Sequence, residues 1–339
     1  VPNSHKLLQA TYLPWPADWS AIFGHEESAT PRPLILEIGF GYGQYLRHLS
    51  KQYPDADVVG VEISNVCLTK AEGAIARGEL PNVRVIYSRA ETALYHLFTP
   101  SSISQVHINF PDPWFKNRHE HRRLMQRDTL DVLASRLQPG ATFHLATDIV
   151  EYAEMSAELL AETSTLTNLQ STPWTNSIPG RTITKYEKRA IKEGRPNHYF
   201  LYQRNDQPAL DIPVYKDAPM PHLILDTPLS LEDMRDAFQA EKITEDNIHV
   251  NYMHTYLGGR VLLYEVFVDE PTIEQRVALV LFKREEASEV GSDNEYTLRL
   301  GTIGSPRPTQ GMHIAVRHLG QQLEKLHPQA RIVGEKLRT

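Results

Sequence analysis

The residues of this chain best suited to chemistry fall in two short segments. The first is Glu37-Ile38-Gly39-Phe40-Gly41-Tyr42-Gly43, an acid leading into three alternating glycines, completed by Glu62 at the end of the next apolar run. Glycines let the backbone turn sharply and let a ligand approach where a Cβ would clash. A dinucleotide fingerprint would read G-x-G-x-x-G, with later amides receiving a pyrophosphate at the helix start. Here an acid precedes G-x-G-x-G, which suits S-adenosylmethionine better, because its amino-acid end carries an ammonium and no phosphate. Glu62 is placed to accept ribose hydroxyls, as the equivalent acid does in nucleotide folds. Without a ligand the same glycines would make only a tight strand-to-helix corner, and the acid at the next strand end is what favours a ligand.

The second segment is Asn109-Phe110-Pro111-Asp112-Pro113-Trp114-Phe115-Lys116. Its two prolines stiffen the backbone around Asp112 and lower the entropy cost of holding that carboxylate in place. Trp114 could stack on a base or pack beneath the loop. Basic side chains gather in two places: Lys116, Arg118, Arg122, Arg123 and Arg127 after this loop, and Arg181, Lys185, Lys188, Arg189, Lys192 and Arg195 further on. Either cluster alone could be a solvated face. Beside a crevice, both suit the backbone phosphates of a folded RNA. His119-Glu120-His121 lacks further ligands at metal-binding spacing and reads as surface or RNA-facing polar residues. Cys67 reads as packing, and His107 and His144 as structural histidines inside strands.

Such residues need a scaffold that gathers strand ends. PLILEIGFGYG at 33–43 is a buried strand running into the glycine turn, QYLRHLSKQYPDA has apolar residues at helical spacing, and VVGVEIS at 58–64 is a strand ending in an acid. Further strands are expected at 82–88, 104–110 and 141–148. Helices are expected between them, the one before 141 closed by Pro139-Gly140. This alternation predicts a doubly wound, Rossmann-like α/β domain over 1–205, which binds ligands outside the carboxyl ends of its strands. QPALDIPVYKDAPMP predicts a linker at 206–221. Beyond it, 222–339 reads as a smaller α+β domain with a mostly antiparallel sheet and one helix, MHIAVRHLGQQLEKLHP.

The total of 339 residues accords with two domains. A single cysteine excludes an intramolecular disulfide framework and fits a reducing, cytoplasmic setting. No apolar run reaches membrane-spanning length, and the first residues lack a secretion-signal pattern. The net charge of −7 argues at first against a nucleic-acid partner, but it is unevenly spread. Residues 1–205 hold 21 basic and 21 acidic side chains, whereas 206–298 hold 7 and 19. The excess acid therefore lies outside the segment that carries the motifs.

LEIGFG, VVGVEIS, NFPDPWFK, FHLATD and T-x-Y-E, in this order, closely resemble the tRNA (guanine-N7)-methyltransferase family over about residues 18–204, and DWSAIFG also fits. The resemblance implies a class I methyltransferase fold and methyl transfer from S-adenosylmethionine to N7 of the guanosine at position 46 in the tRNA variable loop. On the matching positions it implies cofactor contacts from Glu37, Gly39, Gly41, Gly43, Glu62, Ile63, Arg89, Ala90, Glu91, Asn109 and Asp112. By the same resemblance Asp112 is expected to be the key catalytic acid, with Lys116, Asp148, Thr184, Tyr186 and Glu187 around the substrate guanosine. From the basic clusters, Arg118, Arg122, Arg123, Lys185 and Arg189 are expected to contact RNA. One position departs from the family, because Arg89 stands near the adenine where members carry an acid or Asn. An arginine cannot accept from the adenine amino group, so either Glu91 or backbone amides must serve.

Guanine N7 has a lone pair and no proton, so its methylation requires orientation and nearby negative charge rather than a general base there. Asp112 suits this by accepting from guanine N1–H or N2–H2. No metal is required. Two other readings fit the residues: transfer to an exocyclic amine of a nucleic acid, where a proline-framed Asp or Asn also occurs, and a non-catalytic tRNA-binding protein, for which Arg89 is the hint. The C-terminal module matches no motif and is expected to assist tRNA contact or assembly.

Overall fold

Strands covered by helices on both faces have no solvent side to mark with polar residues, so they read as short, wholly apolar runs. The computed structural model describes residues 8–25, 31–114, 123–284 and 294–338. Two compact units result, Val1–Tyr215 and Lys216–Thr339. In the first, the strands are β1 (Leu8–Gln9), β2 (Leu34–Ile38), β3 (Asp57–Glu62), β4 (Val83–Tyr87), β5 (Ile103–Asn109), β6 (Leu137–Thr147), β7 (Leu166–Asn168) and β8 (His198–Arg204). Its helices are α1 (Trp19–Phe23), α2 (Gln44–Gln52), α3 (Asn65–Ala76), α4 (Ala90–His96), α5 (Arg127–Arg136), α6 (Val150–Ala161) and α7 (Lys185–Lys192).

The sheet runs β1-β4-β3-β2-β5-β6-β8-β7. It is parallel through β6 and antiparallel at β8 and β7. The order reverses between β2 and β5, so the carboxyl ends of these two strands open the crevice in which doubly wound folds bind ligands. Every residue of β2 is buried. On one face Leu46 and Leu49 of α2 and Leu68, Ala71 and Ala74 of α3 pack against Ile35, Val58, Val83 and Val85.

Two local expectations change. The helix expected to stop at Pro139-Gly140 ends at Arg136, and both residues lie within β6. The register of β5 against β6 shifts there, between Ile103 and Gln105. Proline has no N–H to give a ladder, and such a break is where a strand tolerates it. The division between units falls inside the stretch read as linker, and the part before it is fastened to the first unit. Buried Arg136 donates to Ile212 O at 2.6 Å and Pro213 O at 3.2 Å, and Tyr215 stacks on Tyr95 with centroids 5.5 Å apart.

The second unit contains β9 (His222–Asp226), α8 (Leu231–Ala237), β10 (Glu241–Glu245), β11 (Ile248–Gly258), β12 (Val261–Glu270), β13 (Ile273–Lys283), β14 (Glu295–Leu300), α9 (Gln310–Glu324) and β15 (Arg331–Lys336). Its antiparallel sheet runs β10-β11-β12-β13-β14-β9-β15. Period-two burial is clear in β12, where Leu262, Tyr264, Val266 and Val268 enter the core that α9 covers. Helix α9 lies so close that a Cβ on Gly320 would come within 2.2 Å of Leu223. Helix α8 was not expected from the sequence; it is only 7 residues long and starts at a Ser230/Asp233 capping box.

Candidate active site

The glycine turn requires its glycines. Gly39, Gly41 and Gly43 all have positive φ, at 71°, 53° and 73°, a conformation that side chains with a Cβ rarely adopt. Between them Phe40 folds back under the sheet, where a Cβ on Gly60 would meet its ring at 2.7 Å. Glu62 braces the turn from the neighbouring strand. Its Oε2 accepts from Gly41 N at 2.9 Å, and its Oε1 from Ile63 N at 2.8 Å and Ser64 N at 3.0 Å. A carboxylate offers about four lone-pair sites, so one remains for a ribose hydroxyl. Ile63 is exposed beside it.

Glu37 ends the apolar run of β2 and is 1% exposed. Asn109, at the end of β5, donates from Nδ2 to Glu37 Oε1 at 3.1 Å, while Glu37 Oε2 is buried without a partner among the described residues. Burial pushes the Glu37 carboxyl up to about 8, against the opposing pull of the Asn109 hydrogen bond and the Arg181 charge. The small pocket here is lined by Glu37, Gly39, Gly41, Asn109, Thr184 and Tyr186 among others. An unsatisfied, buried carboxylate oxygen at a glycine turn fits the ammonium of an amino-acid group.

Arg89 and Ala90 open α4, and Arg89 Nε lies 3.4 Å from Glu91 Oε2. The arginine thus takes up part of the carboxylate that could otherwise receive an adenine amino group.

The Asp112 loop is held in an unusual shape. Phe110 and Trp114, on either side of Pro111-Asp112-Pro113, have φ of 54° and 41°. Each such non-glycine residue costs on the order of 1–2 kcal/mol, which the surroundings must offset. Phe110 N donates to Ala146 O at 2.7 Å, and its ring faces Tyr186 with centroids 6.5 Å apart. Asp112 itself is exposed, facing outward from a loop pinned to β6. Trp114 is half-buried. Lys116, Arg118 and Arg122, together with His119-Glu120-His121, lie outside the described residues. Arg123 donates to Met155 Sδ at 3.6 Å, and Arg127 pairs with Glu162 at 2.5 Å.

The T-K-Y-E segment is a capping box at the start of α7. Thr184 Oγ1 accepts from Glu187 N at 3.3 Å, and Thr184 N donates to Glu187 Oε2 at 2.5 Å. Glu187 is 1% exposed, and its Oε1 also accepts from Arg181 Nε at 3.0 Å and Tyr199 OH at 2.8 Å. Burial raises its carboxyl, but the Arg181 charge and the bonds from Thr184 and Tyr199 outweigh this and hold it below its ordinary range. Both residues, read from sequence as guanosine contacts, are engaged in capping α7; Thr184 lines the small pocket, and Glu187 lines a separate cavity with Arg181 and Tyr199. Tyr186 points outward beside the glycine turn, 49% exposed. Lys185 lies 4.7 Å from the centroid of the Tyr42 ring, and exposed Arg189 pairs with Glu193 at 2.8 Å.

Sequence reasoning missed Arg181. Counted among the phosphate-facing residues, it is in fact buried, with a side chain 6% exposed. Beyond Glu187, it donates to Asn109 Oδ1 at 2.5 Å and to Tyr45 OH at 3.1 Å. The T-x-x-E spacing that marks a capped helix start was the available signal that this stretch folds back on the domain. Asp148 is likewise engaged, pairing with Arg195 at 2.7 Å. Beneath the site His107 and His144 stack 4.3 Å apart. Burial, with the nearby Arg181 charge, lowers His144 to about 4 and puts His107 well below its ordinary value, so both are neutral structural residues. Among the described residues there is no His/Cys/Asp/Glu group able to hold a metal, and no helix is long and apolar enough to cross a membrane.

The family model described as "Putative methyltransferase" matches residues 31–200. The chain is 38% identical over 189 residues to the tRNA (guanine-N(7)-)-methyltransferase of Cupriavidus pinatubonensis, covering 55% of this chain and 72% of that relative. It is 40% identical over 183 residues to the enzyme of that name from Burkholderia cenocepacia, covering 54% and 69%. Among solved structures, the aminoglycoside resistance methyltransferase NpmB1 aligns at 18% identity with a TM-score of 0.39, over 57% of this chain and 98% of that one. The second unit lies beyond the family model.

Proposed function

Since the chain belongs to the tRNA (guanine-N7)-methyltransferase family, we propose that it transfers a methyl group from S-adenosylmethionine to N7 of guanosine in tRNA, at position 46 of the variable loop. The observation that carries this reading is the buried, unpartnered Oε2 of Glu37 at a three-glycine turn, with the Asp112 loop rising from the adjacent strand end. Glu37 would receive the cofactor's ammonium, Glu62 its ribose, and Tyr186 and the glycine backbone would line its path. When bound, S-adenosylmethionine supplies an electrophilic methyl on a sulfonium.

The protein's own part is orientation and charge. Guanine N7 attacks through its lone pair and holds no proton, so no side chain has to deprotonate it. The positive charge ends on the purine ring. Asp112, exposed at the crevice, would accept from N1–H or N2–H2, fixing the base and stabilising the ring more strongly as it becomes cationic. Lys185 and Arg189 are exposed on α7 and would meet backbone phosphates. We assign methyl transfer to the first unit, and to the second an accessory part in tRNA contact or assembly. Incubating the protein with unmodified tRNA and methyl-labelled S-adenosylmethionine, then identifying the labelled nucleoside, tests the reading. Label in an exocyclic N-methylguanosine would favour the alternative acceptor, and no label would favour a binding protein.

A further inference from the structure

A hydrogen-bonded chain links two elements far apart in sequence. It runs from Glu37 to Asn109, from Asn109 to Arg181, and from Arg181 to Glu187, whose other oxygen caps α7 through Thr184. The Arg181 guanidinium is the only charged donor within it. It also lies 4.5 Å from the Tyr45 ring centroid and 5.0 Å from that of Tyr199, so aromatic faces complete its enclosure.

The Asn109 amide makes this arrangement directional. Its Oδ1 accepts from Arg181 Nη2, which leaves Nδ2 aimed at Glu37 Oε1. Reversing the amide would set an Nδ2 donor against the guanidinium and an oxygen against the carboxylate. The Glu37 oxygen that is not held by Asn109 is the one without a partner. Arg181 thereby fixes, through Asn109, the orientation of the Glu37 carboxyl group that lines the pocket. A lysine cannot do the same, because its single ammonium lacks the planar fork that reaches Glu187, Asn109 and Tyr45 at once.

We propose that Arg181 is a positioning residue for the methyl donor: it ties the capped start of α7 to Asn109, fixes the Glu37 carboxylate for the cofactor's ammonium, and does not contact RNA. This rests on the reading of the Glu37 pocket as the S-adenosylmethionine site, so binding of S-adenosylmethionine to the wild-type protein by calorimetry comes first. Failure at that step removes the functional reading itself. Given wild-type binding, Arg181→Met should weaken cofactor affinity about 10-fold or more, the loss expected when a charge-assisted network is removed. The affinity for tRNA and its salt dependence should stay as in the wild type. Asn109→Ala should cause a similar loss, and the double variant should bind no more weakly than the worse single, because both act through one connection.

Arg181→Met leaves Glu187 buried without its cation, which threatens the fold. Arg181→Lys keeps the charge and provides the second variant. It should melt close to the wild type and still bind the cofactor weakly. Wild-type cofactor affinity in Arg181→Lys, or fold-changes that multiply in the Arg181→Met, Asn109→Ala double variant, would overturn the proposal. So would a salt slope of tRNA binding reduced by about one with cofactor affinity intact, since that is the signature of a lost phosphate contact.

Discussion

Asn109 Nδ2 reaches Glu37 Oε1 at 3.1 Å across the paired ends of β5 and β2, so one oxygen of a wholly buried carboxyl group is held and the other is buried without a hydrogen-bond partner among the described residues. This relationship turns a burial cost into a binding device. Desolvation without full pairing is unfavourable for the ionised acid, and under the proposed function the cofactor's ammonium would supply what is missing.

The proton inventory of cofactor binding follows from it. Burial raises Glu37 from 4.5 to about 8, so at pH 7 the free protein holds it mostly protonated. The associated stability is present below pH 4.5 and is lost as pH rises through about 8. An arriving ammonium reverses the shift and expels the proton. Calorimetry at pH 7 in two buffers of different ionisation enthalpy should therefore show release of close to one proton. Glu37→Gln should release none and bind about 10-fold or more weakly. Binding by the wild type with no proton exchange would contradict this account.

Asp112 is predicted to act by charge and position. Asp112→Asn keeps the shape of the proline-framed loop but removes the negative charge that the cationic purine needs. Cofactor binding should be retained, with kcat reduced roughly 100-fold or more, the scale seen when a preorganised electrostatic partner is lost. Single-turnover assays read the chemical step directly, and near-normal turnover would remove Asp112 from the mechanism.

Thr184 is predicted to matter through the helix it caps. Thr184→Ala should cost about 1 kcal/mol of stability, the ordinary cost of losing an N-cap hydroxyl. Thr184→Ser keeps the oxygen and should restore most of it. Denaturant unfolding of both variants tests this. Equal stability of Thr184→Ala and wild type would show that the capping box contributes nothing.

The second unit is predicted to serve tRNA contact or assembly. Cutting the chain after Tyr215 leaves the residues that Arg136 and Tyr95 hold in place. The shortened protein should still bind the cofactor but show weaker tRNA affinity or an altered oligomeric state. If both quantities match the full chain, that role is excluded.

The parallel sheet and its crevice were legible because apolar runs, a glycine turn and strand-end acids are local signals of a doubly wound fold. Positive φ at Gly39, Gly41 and Gly43 is the conformation those glycines allow. Arg181 was misread because charge in a sequence says nothing of burial: six basic residues in one stretch look alike until Glu187, Asn109 and Tyr45 close around one of them. The T-K-Y-E letters had two meanings, a family motif and a capping box, and only the second follows from their spacing. Pro139 looked like a helix stop, yet α5 had already ended at Arg136, where the guanidinium turns inward to carbonyls of Leu94, Ile212 and Pro213. Contacts of that range leave no mark on local periodicity.

Methylation at guanine N7 makes the product nucleotide a site of chemical chain cleavage, so the position of transfer can be read from the RNA itself. After reaction with unmodified tRNA, borohydride reduction followed by aniline breaks the RNA at 7-methylguanosine. One new cleavage is expected, at position 46, that requires both protein and S-adenosylmethionine and disappears when that guanosine is replaced by adenosine. Methyl incorporation without cleavage, or cleavage unaffected by the replacement, would contradict transfer to N7 at that position.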